Sequence, residues 1–230
     1  MSLWNNDAEL FALARRELCT AVVGDMMDTL GLRHQFLPQQ IRPIAPHMVV
    51  IGRAMTVLQA GVLAAASASD ANAAMGRPYG LMFEALDSLK PHEVYICAGA
   101  AGRCALWGEL MTIRAMKLGA AGAVVDGFMR DTKGILALNF SAFACGSSAR
   151  AQGPCGQVVD FHCPLEIQGT TVNSGDILFG DIDGVCVVPR DTERDVFARA
   201  IEKARSEKLL QQAIQSGMGA AEAFRKFGIM

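Results

Sequence analysis

Three residues in the middle of the chain carry side chains that could act together on a small anion. Glu109 is followed, after 20 intervening residues, by the adjacent pair Arg130 and Asp131. A guanidinium can grip a carboxylate through two parallel hydrogen bonds. A carboxylate such as that of Asp131 can hold a hard cation such as Mg2+ through oxygen.

The elements around these residues predict that they meet at one edge of a sheet. Glu93 to Ala98 is a short apolar run typical of a buried strand, and Gly122 to Asp126 is a second one. Between them, apolar residues at steps of three and four predict a helix over Trp107–Leu118. Such a parallel βαβ unit collects ligands at the carboxyl ends of its strands. The helix N-terminus would meet Arg130 and Asp131 there, which indicates a site for a small anionic oxo acid.

Each of these residues also has a plain structural interpretation, which the spacing leaves open. An Arg–Asp pair after a strand commonly forms a loop ion pair or a helix cap. A Glu in the first helical turn complements the helix dipole. A second acidic pair, Asp25 and Asp28, could hold a metal, but it equally suits the exposed face of a helix.

The run WGELMTIRAMKLGAAGAVVDGFMRD, residues 107–131, resembles a known family. That family is the class II pyruvate aldolases acting on 4-hydroxy-4-methyl-2-oxoglutarate and 4-carboxy-4-hydroxy-2-oxoadipate, and it includes the regulator of ribonuclease E activity. Its aldolases carry an acid, twenty residues and then Arg-Asp. The usual acid is Asp, so Glu109 is longer by one methylene. Residues 19–31, 52–60 and 174–189 resemble its opening helix, first long strand and closing hairpin.

The resemblance implies a role for each candidate residue. Arg130 and the backbone at the helix start would bind the pyruvate part of a substrate. Asp131 would ligate Mg2+ or Mn2+, with Glu109 held to the ion through water. Glu207 is the best match to a glutamate supplied by a neighbouring subunit, although alone it also suits a solvated helix face. The expected substrate-binding residues are Gly108, Glu109, Leu110, Met111 and Arg130.

The implied activity is metal-dependent cleavage of a 4-hydroxy-2-oxo diacid to pyruvate and a second oxo acid. Breaking the C–C bond leaves an enolate, and a Lewis acid at its oxygen stabilises that charge. Decarboxylation of oxaloacetate yields the same enolate, so it is expected as a side activity. Lys117 and Lys133 are the nearest candidates for a Schiff base instead. The metal route is preferred because Lys117 lies late in the helix.

Two other classes of function stay open. The family contains a ribonuclease regulator, so the chain could be a non-catalytic protein that binds a ribonuclease. A methyltransferase is the third reading, and it rests only on a glycine-bearing loop, residues 99–102, that weakly resembles a nucleotide loop. The glycine- and serine-rich stretch 146–157 predicts another loop, and it lacks the phosphate-loop pattern.

The composition predicts a protein with a large core and few charges. Of 230 residues, 51% are hydrophobic and 19% are charged, against about 25% charged in average proteins. This low fraction of charged residues suggests that part of the surface lies in oligomer interfaces. The resemblance implies a homotrimer or homohexamer. The net charge of −2 without a basic block argues against nucleic acid as a partner.

The cysteines and the N-terminus predict a cytoplasmic protein without a membrane anchor. Seven cysteines without a CxxC pair indicate reduced, buried thiols. The first residues lack a basic-then-apolar leader, and the alanine-rich segment 60–75 is too small-sided to span a membrane. The cysteines are Cys19, Cys97, Cys104, Cys145, Cys155, Cys163 and Cys186.

The whole chain, residues 1–230, is predicted to form one α/β domain with helical arms at both ends. Helices are expected over residues 7–18 and 20–30, over the alanine-rich residues 61–75, and after a cap at Asp191, where a long helix begins. Residues 48–59 predict the longest strand, in which Gly52 suggests a bulge or a close backbone contact. Residues 158–167 and 170–172 predict a hairpin with its turn at Gln168–Gly169. The resemblance implies the swivelling β/β/α fold.

Overall fold

A computed structural model describes residues 3–61, 79–99, 104–153 and 155–228. Its helices are α1 (Asp7–Glu17), α2 (Thr20–Thr29), α3 (Met82–Asp87), α4 (Glu109–Lys117), α5 (Thr132–Ala137), α6 (Glu193–Gln215) and α7 (Ala220–Phe227). Its strands are β1 (Arg42–Pro43), β2 (Val50–Gly61), β3 (Glu93–Ala98), β4 (Ala105–Trp107), β5 (Gly122–Val125), β6 (Phe128–Met129), β7 (Ala142–Ala144), β8 (Gly146–Ser147), β9 (Gly156–Phe161), β10 (Leu165–Ile167), β11 (Thr170–Val172), β12 (Ile177–Asp181) and β13 (Gly184–Val188). The predicted alanine-rich helix and most of the predicted nucleotide loop lie outside the described residues.

An eight-stranded mixed sheet organises the fold, in the order β1-β7-β5-β3-β2-β12-β13 with β9 also on β2. Strands β2, β3, β5 and β7 run parallel, with Val94 opposite Gly122 in the β3–β5 pair. The predicted parallel βαβ unit is thus confirmed, and α4 is its crossover helix. Their apolar runs are buried on both faces, as parallel strands covered by helices require. The predicted mixed α/β fold is confirmed.

Gly52 allows the longest strand to run close to the chain beside it. A Cβ built on Gly52 would lie only 2.3 Å from the carbonyl oxygen of His92, so only glycine fits there. The expected close contact is therefore found at Gly52. A register shift falls farther along the strand, between Leu58 and Gln59, within the pairing of β2 with β9.

One predicted strand, residues 158–167, is wrong as a single element. The structure divides it into the end of β9 and β10, because the backbone turns at His162, which has φ 59°. Pro164 follows in the gap. The predicted hairpin turn at Gln168–Gly169 is confirmed between β10 and β11, and both turn residues have positive φ.

The helical arms pack together on one face of the sheet. Apolar residues of α1, α2 and α6 form a common core with β12 and β13. Arg53 of β2 ties the arms to the sheet, since it forms ion pairs with Asp7 of α1 and Glu193 of α6. The predicted cap at Asp191 is wrong by one residue, because Thr192 occupies the cap position of α6.

Two cysteines depart from the prediction of seven reduced thiols. Cys104 and Cys155 form a disulfide with 6.1 Å between their Cα atoms. Burial raises the pKa of the free Cys97 thiol to about 12, so it stays protonated. Disulfides are uncommon in reducing compartments, so the cytoplasmic location stays a prediction. Among the described helices, none is long and apolar enough to cross a membrane.

Candidate active site

The candidate site lies on a small three-stranded sheet, β4-β6-β8, that sequence reasoning missed. Residues 105–107, assigned in part to the predicted helix, form strand β4 instead, and α4 begins at Glu109 with Gly108 as its cap residue. Burial explains why these residues form a strand. Leu106 and Trp107 are consecutive and both are buried. Consecutive side chains of a strand point to opposite faces, so both can be buried when both faces are covered.

The register of two parallel strands brings the predicted residues together. Trp107 of β4 is opposite Met129 of β6, and the Arg130 N–H donates to the Trp107 carbonyl at 3.0 Å. Parallel strands end at the same edge, so the residues that follow them are neighbours. A Cβ built on Gly108 would lie 2.9 Å from Asp131 Oδ2 and 3.7 Å from Arg130 Nε. Both side chains thus lie over the bare backbone of Gly108.

Asp131 holds an uncommon backbone conformation that directs its carboxylate toward the site. Its φ of 55° is left-handed, and it occupies the cap position of α5 without a side-chain capping bond. The carboxylate instead lies 3.6 Å from Arg130 Nε. Both side chains are about half exposed, so solvent screens this pair and it contributes little to stability. A left-handed non-glycine residue of this kind is typical of a functional position.

Glu109 reaches from α4 to the first turn of α5. A Cβ built on Gly134 would lie 2.2 Å from Glu109 Cδ, so the carboxyl group packs directly on the Gly134 backbone. Gly134 was not predicted as a site residue. One indication of its role was present in the sequence, because a glycine inside a helical pattern commonly allows another group to pack closely against the helix.

The start of α4 is held by a buried tryptophan. Trp107 Nε1 donates to Thr112 Oγ1 at 2.7 Å, and that hydroxyl donates to the Gly108 carbonyl at 3.1 Å. The Trp107 ring packs against Tyr95 and stacks on Phe140. The N–H groups of residues 109–111 precede the first helical bond, from Thr112 N to Gly108 O, so they point outward beside Arg130, available to an anion.

A cavity of about 230 Å³ opens above these groups. Arg130 is its cationic side chain and Asp131 its anionic one, while most of the remaining wall is apolar. A second cavity, of about 380 Å³, lies on the other side of the same pair and is lined by Thr132 and residues 147–149. The first cavity is lined by Tyr79, Met82, Phe83, Ala105, Leu106, Trp107, Gly108, Leu110, Met111, Arg130, Asp131, Ala151 and Gln152.

A loop far along the chain closes one wall of the first cavity. The Ala105 N–H donates to the Arg150 carbonyl at 2.9 Å, and the Cys155 N–H donates to the Gln152 carbonyl at 2.7 Å. The disulfide fixes the end of this loop to Cys104, beside β4. Sequence analysis predicted a loop here but not its place over the site, because nothing in a loop's composition specifies what it covers.

The other predicted residues lie elsewhere on this chain. Glu207 is on α6, 3.4 Å from Lys203, and it lines neither cavity. Lys117 is in the last turn of α4, away from the site. Lys133 is an exposed residue of α5 that lines neither cavity. A role for Glu207 from a neighbouring copy stays a prediction.

The carboxylates of Asp131 and Glu109 provide oxygen donors for a divalent metal. In the described ranges, no three His, Cys, Asp or Glu residues cluster to form a metal site. Mg2+ is commonly bound by one or two carboxylates, with water and substrate oxygens completing its shell. Asp131 is free of capping and half exposed, and the Glu109 carboxyl group is nearby at Gly134. These oxygen ligands suit a hard cation bound in that way.

Comparison with known proteins places this geometry in context. Residues 20–187 match a family described as "RraA-like: Aldolase/RraA". A "Putative 4-hydroxy-4-methyl-2-oxoglutarate aldolase" of Halalkalibacterium halodurans is 32% identical, covering 91% of this chain and 90% of that one. Protein DlpA of Legionella pneumophila is 29% identical over 86% of this chain, which spans only 30% of DlpA.

A solved structure has the same fold. RraAS2 of Streptomyces coelicolor, described as an unusual member of the RNase ES inhibitor RraA protein family, aligns with a TM-score of 0.76. The alignment covers 90% of this chain and 98% of that one at 20% identity. At this identity the likeness extends to the fold alone.

Proposed function

Because the chain belongs to the RraA-like family, we propose that it is a divalent-metal-dependent lyase that cleaves a 4-hydroxy-2-oxo diacid to pyruvate and a second oxo acid. The observation that carries this proposal is the meeting of Arg130, Asp131 and the start of α4 around Gly108. A guanidinium, outward-pointing amides and a free carboxylate are the groups that a 2-oxo acid and its metal need.

Each group has a distinct task in the proposed reaction. Arg130 and the amides of residues 109–111 bind the C1 carboxylate of the substrate. Gly108 lets that carboxylate approach the backbone, because no side chain fills the space. This fixes the C2 oxygen on the side of Asp131, so the substrate is oriented before any bond breaks.

Cleavage of the C3–C4 bond requires that the electron pair of this bond be stabilised on the pyruvate part of the substrate. As the 4-hydroxyl loses its proton, the C3–C4 bond breaks and its electron pair moves to C3, giving the pyruvate enolate. Mg2+ or Mn2+ on Asp131 would supply Lewis acidity at the enolate oxygen. Glu109 would hold a water near Asp131, and Glu207 of the partner subunit is proposed as a further acid–base group. Oxaloacetate, losing CO2, would give the same enolate.

The face of α4 beside the cavity supports an assembly of several copies. Leu110 is 80% exposed, and Phe83, Ile113 and Met116 are also exposed. The apolar stripe that predicted the helix thus faces outward, while the small residues Thr112 and Ala115 face the core. Exposed apolar clusters of this kind mark protein interfaces. We propose a homotrimer or homohexamer in which a neighbour covers this face.

A non-catalytic regulator that binds a ribonuclease is the alternative within this family. A regulator of this kind would not require that the carboxylate of Asp131 be directed away from capping α5. The observed conformation of Asp131 therefore favours the enzyme. Methyltransferase activity has no support among the described residues, since the loop that suggested it lies largely outside them.

The test is pyruvate release from oxaloacetate and from several 4-hydroxy-2-oxo diacids. Release should stop with EDTA and return with Mg2+ or Mn2+. Arg130→Ala should lower kcat/KM at least hundredfold with an unchanged Tm. Arg114→Ala is the matched control, because Arg114 is an exposed arginine on α4 that pairs with Asp87. Release that ignores EDTA, or persists in Arg130→Ala, would refute the proposal.

A further inference from the structure

We propose that Gln152 is the specificity-determining residue of this site and binds the second carboxylate of the substrate, at the end far from Arg130. This inference rests on the proposed function, since it assigns the other end of the same substrate. It explains why a cavity whose described lining contains one cationic side chain would select a diacid.

The first observation is that the side-chain amide of Gln152 contains a buried hydrogen-bond donor without an acceptor. Gln152 is only 7% exposed, and its Nε2 is buried without a partner. Among the described residues that line the cavity, it is the only one with such an atom. An unpaired buried amide destabilises a protein, and each instance calls for an explanation. Rotation of the carboxamide, whose two orientations have nearly the same shape, would turn this N–H toward the cavity, where a ligand oxygen would supply the missing partner.

The second observation is that the loop holds this amide in place. On one side of Gln152, the Arg150 carbonyl accepts from Ala105 N–H. On the other, Cys155 is joined to Cys104 by the disulfide. Anchors on both sides limit the loop, so little freedom is lost when a ligand binds. A preorganised donor of this kind gives both affinity and selectivity.

The remaining wall of the cavity defines what Gln152 can recognise. Arg130 and the start of α4 take the C1 carboxylate, and Met82, Leu106 and Met111 provide apolar walls. The cavity of about 230 Å³ is smaller than drug-sized pockets, so it suits a short oxo acid. Rotation of the carboxamide by 180° exchanges donor and acceptor. The rotated orientation therefore offers an N–H that can donate to a distal carboxylate.

The chemistry predicts rejection as well as binding. A substrate with a methyl group in place of the distal carboxylate leaves the amide unpaired inside the cavity. A site built to hydrogen-bond a substrate group rejects the analogue that lacks it more strongly than an apolar pocket rejects a missing methylene. Gln152 should therefore separate diacids from mono acids of the same chain length.

The experiment compares Gln152→Leu and Gln152→Glu with the unchanged protein. Steady-state KM and kcat are measured with Mg2+ for a 4-hydroxy-2-oxo diacid and for 4-hydroxy-2-oxopentanoate, which carries a methyl group at the distal end. Calorimetry in EDTA, which stops the turnover of oxaloacetate, gives Kd for oxaloacetate and for pyruvate. Gln35→Leu is the matched control, because Gln35 also has an unpaired buried amide atom but lines neither cavity.

Gln152→Leu should raise the diacid KM about tenfold to hundredfold, the loss expected for a hydrogen bond to a charged group. It should leave pyruvate binding unchanged and should lower the KM for the mono acid, because no amide is then left unpaired beside the methyl group. Gln152→Glu should weaken the diacid further through repulsion. An unchanged diacid KM, or an equal loss for pyruvate, would overturn the assignment.

The binding measurements separate this inference from the proposed function. If the unchanged protein turns over no diacid, the lyase proposal fails. Selective loss of oxaloacetate binding in Gln152→Leu would still support the role of Gln152. If the unchanged protein binds oxaloacetate no more tightly than pyruvate, the inference fails even when the lyase is active.

Discussion

The N–H of Arg130 donates to the carbonyl of Trp107, and this one bond sets the geometry of the candidate site. It places the ends of β4 and β6 in register, so Gly108 and Asp131 face each other across the same edge. Trp107 is anchored in turn by Thr112, Tyr95 and Phe140. The reactive groups therefore lie on the most rigidly packed part of this small sheet.

Adding a methyl group at Gly108 should remove activity and preserve the fold. The residue has an extended backbone that alanine can adopt, but a Cβ would lie 2.9 Å from Asp131 Oδ2 and fill the space for the substrate. Gly108→Ala should lower kcat/KM for oxaloacetate decarboxylation at least tenfold, with a Tm near that of the unchanged protein.

Gly219→Ala is the control for this change. Gly219 is also a helix-cap glycine, and a Cβ there meets open space. It should leave both activity and Tm unchanged. Full activity in Gly108→Ala would show that this space is not used by the substrate.

The carboxyl group of Glu109 can be displaced without substituting Glu109 itself, by substituting Gly134, on which it packs. Gly134→Ala puts a methyl group where the Glu109 carboxyl group lies. Alanine favours a helix interior by about 1 kcal/mol over glycine, so stability should hold or rise. Activity should fall to the level of Glu109→Gln, measured by pyruvate release.

Shortening the side chain at position 109 is a complementary test. Glu109→Asp introduces the acid that is usual in the aldolases of this family, so pyruvate release should stay within a few-fold of that of the unchanged protein. Activity in Gly134→Ala above that of Glu109→Gln would show that the position of the carboxyl group is unimportant.

The disulfide should contribute substantially to stability. Cys104 and Cys155 are separated by 51 residues. In the chain-entropy account, closing a loop of this length stabilises the fold by about 4 kcal/mol. Urea unfolding should therefore show a lower midpoint for Cys104→Ser than for the oxidised protein. Cys19→Ser, at an exposed free cysteine, should not lower the midpoint, because serine is a favourable residue at this cap position of α2. A reductant should affect only proteins that retain the bond.

The ion pairs of Arg53 predict a pH dependence of stability. The hydrogen bond from Arg53 holds the pKa of Asp7 below its usual value of 3.8. A depressed carboxyl pKa stabilises the fold above the unfolded value, and this stability is lost as the pH falls through the folded value. Arg53→Met should lower Tm at pH 7. The difference in Tm between the two proteins should shrink below about pH 4, and a constant difference would contradict this assignment.

Sequence patterns sufficed for the parallel unit and the helical arms, because long apolar runs and periodic stripes specify them locally. The meeting of Arg130 and Asp131 with the start of α4 also followed from the rule that parallel strands end together. The supporting sheet did not follow. Strand β4 has only three residues and runs directly into α4, so neither periodicity separates it from the helix.

Contacts between distant parts of the chain were beyond sequence reasoning. The place of Gln152 over the cavity depends on how residues 148–153 fold back onto β4. The outward direction of Leu110 depends on which side of α4 the core occupies, and an apolar stripe does not specify that side when small residues can fill the core.

The sulfur bridge makes residues 104–155 a covalent ring, and that ring encloses Gly108, Glu109, Arg130, Asp131 and Gln152. Every residue of this chain proposed to hydrogen-bond the substrate or to hold the metal thus belongs to one macrocycle. A protease that nicks a single bond inside the ring leaves its two products joined until a reductant is added. The halves of the site are therefore tethered even where the main chain between them is broken.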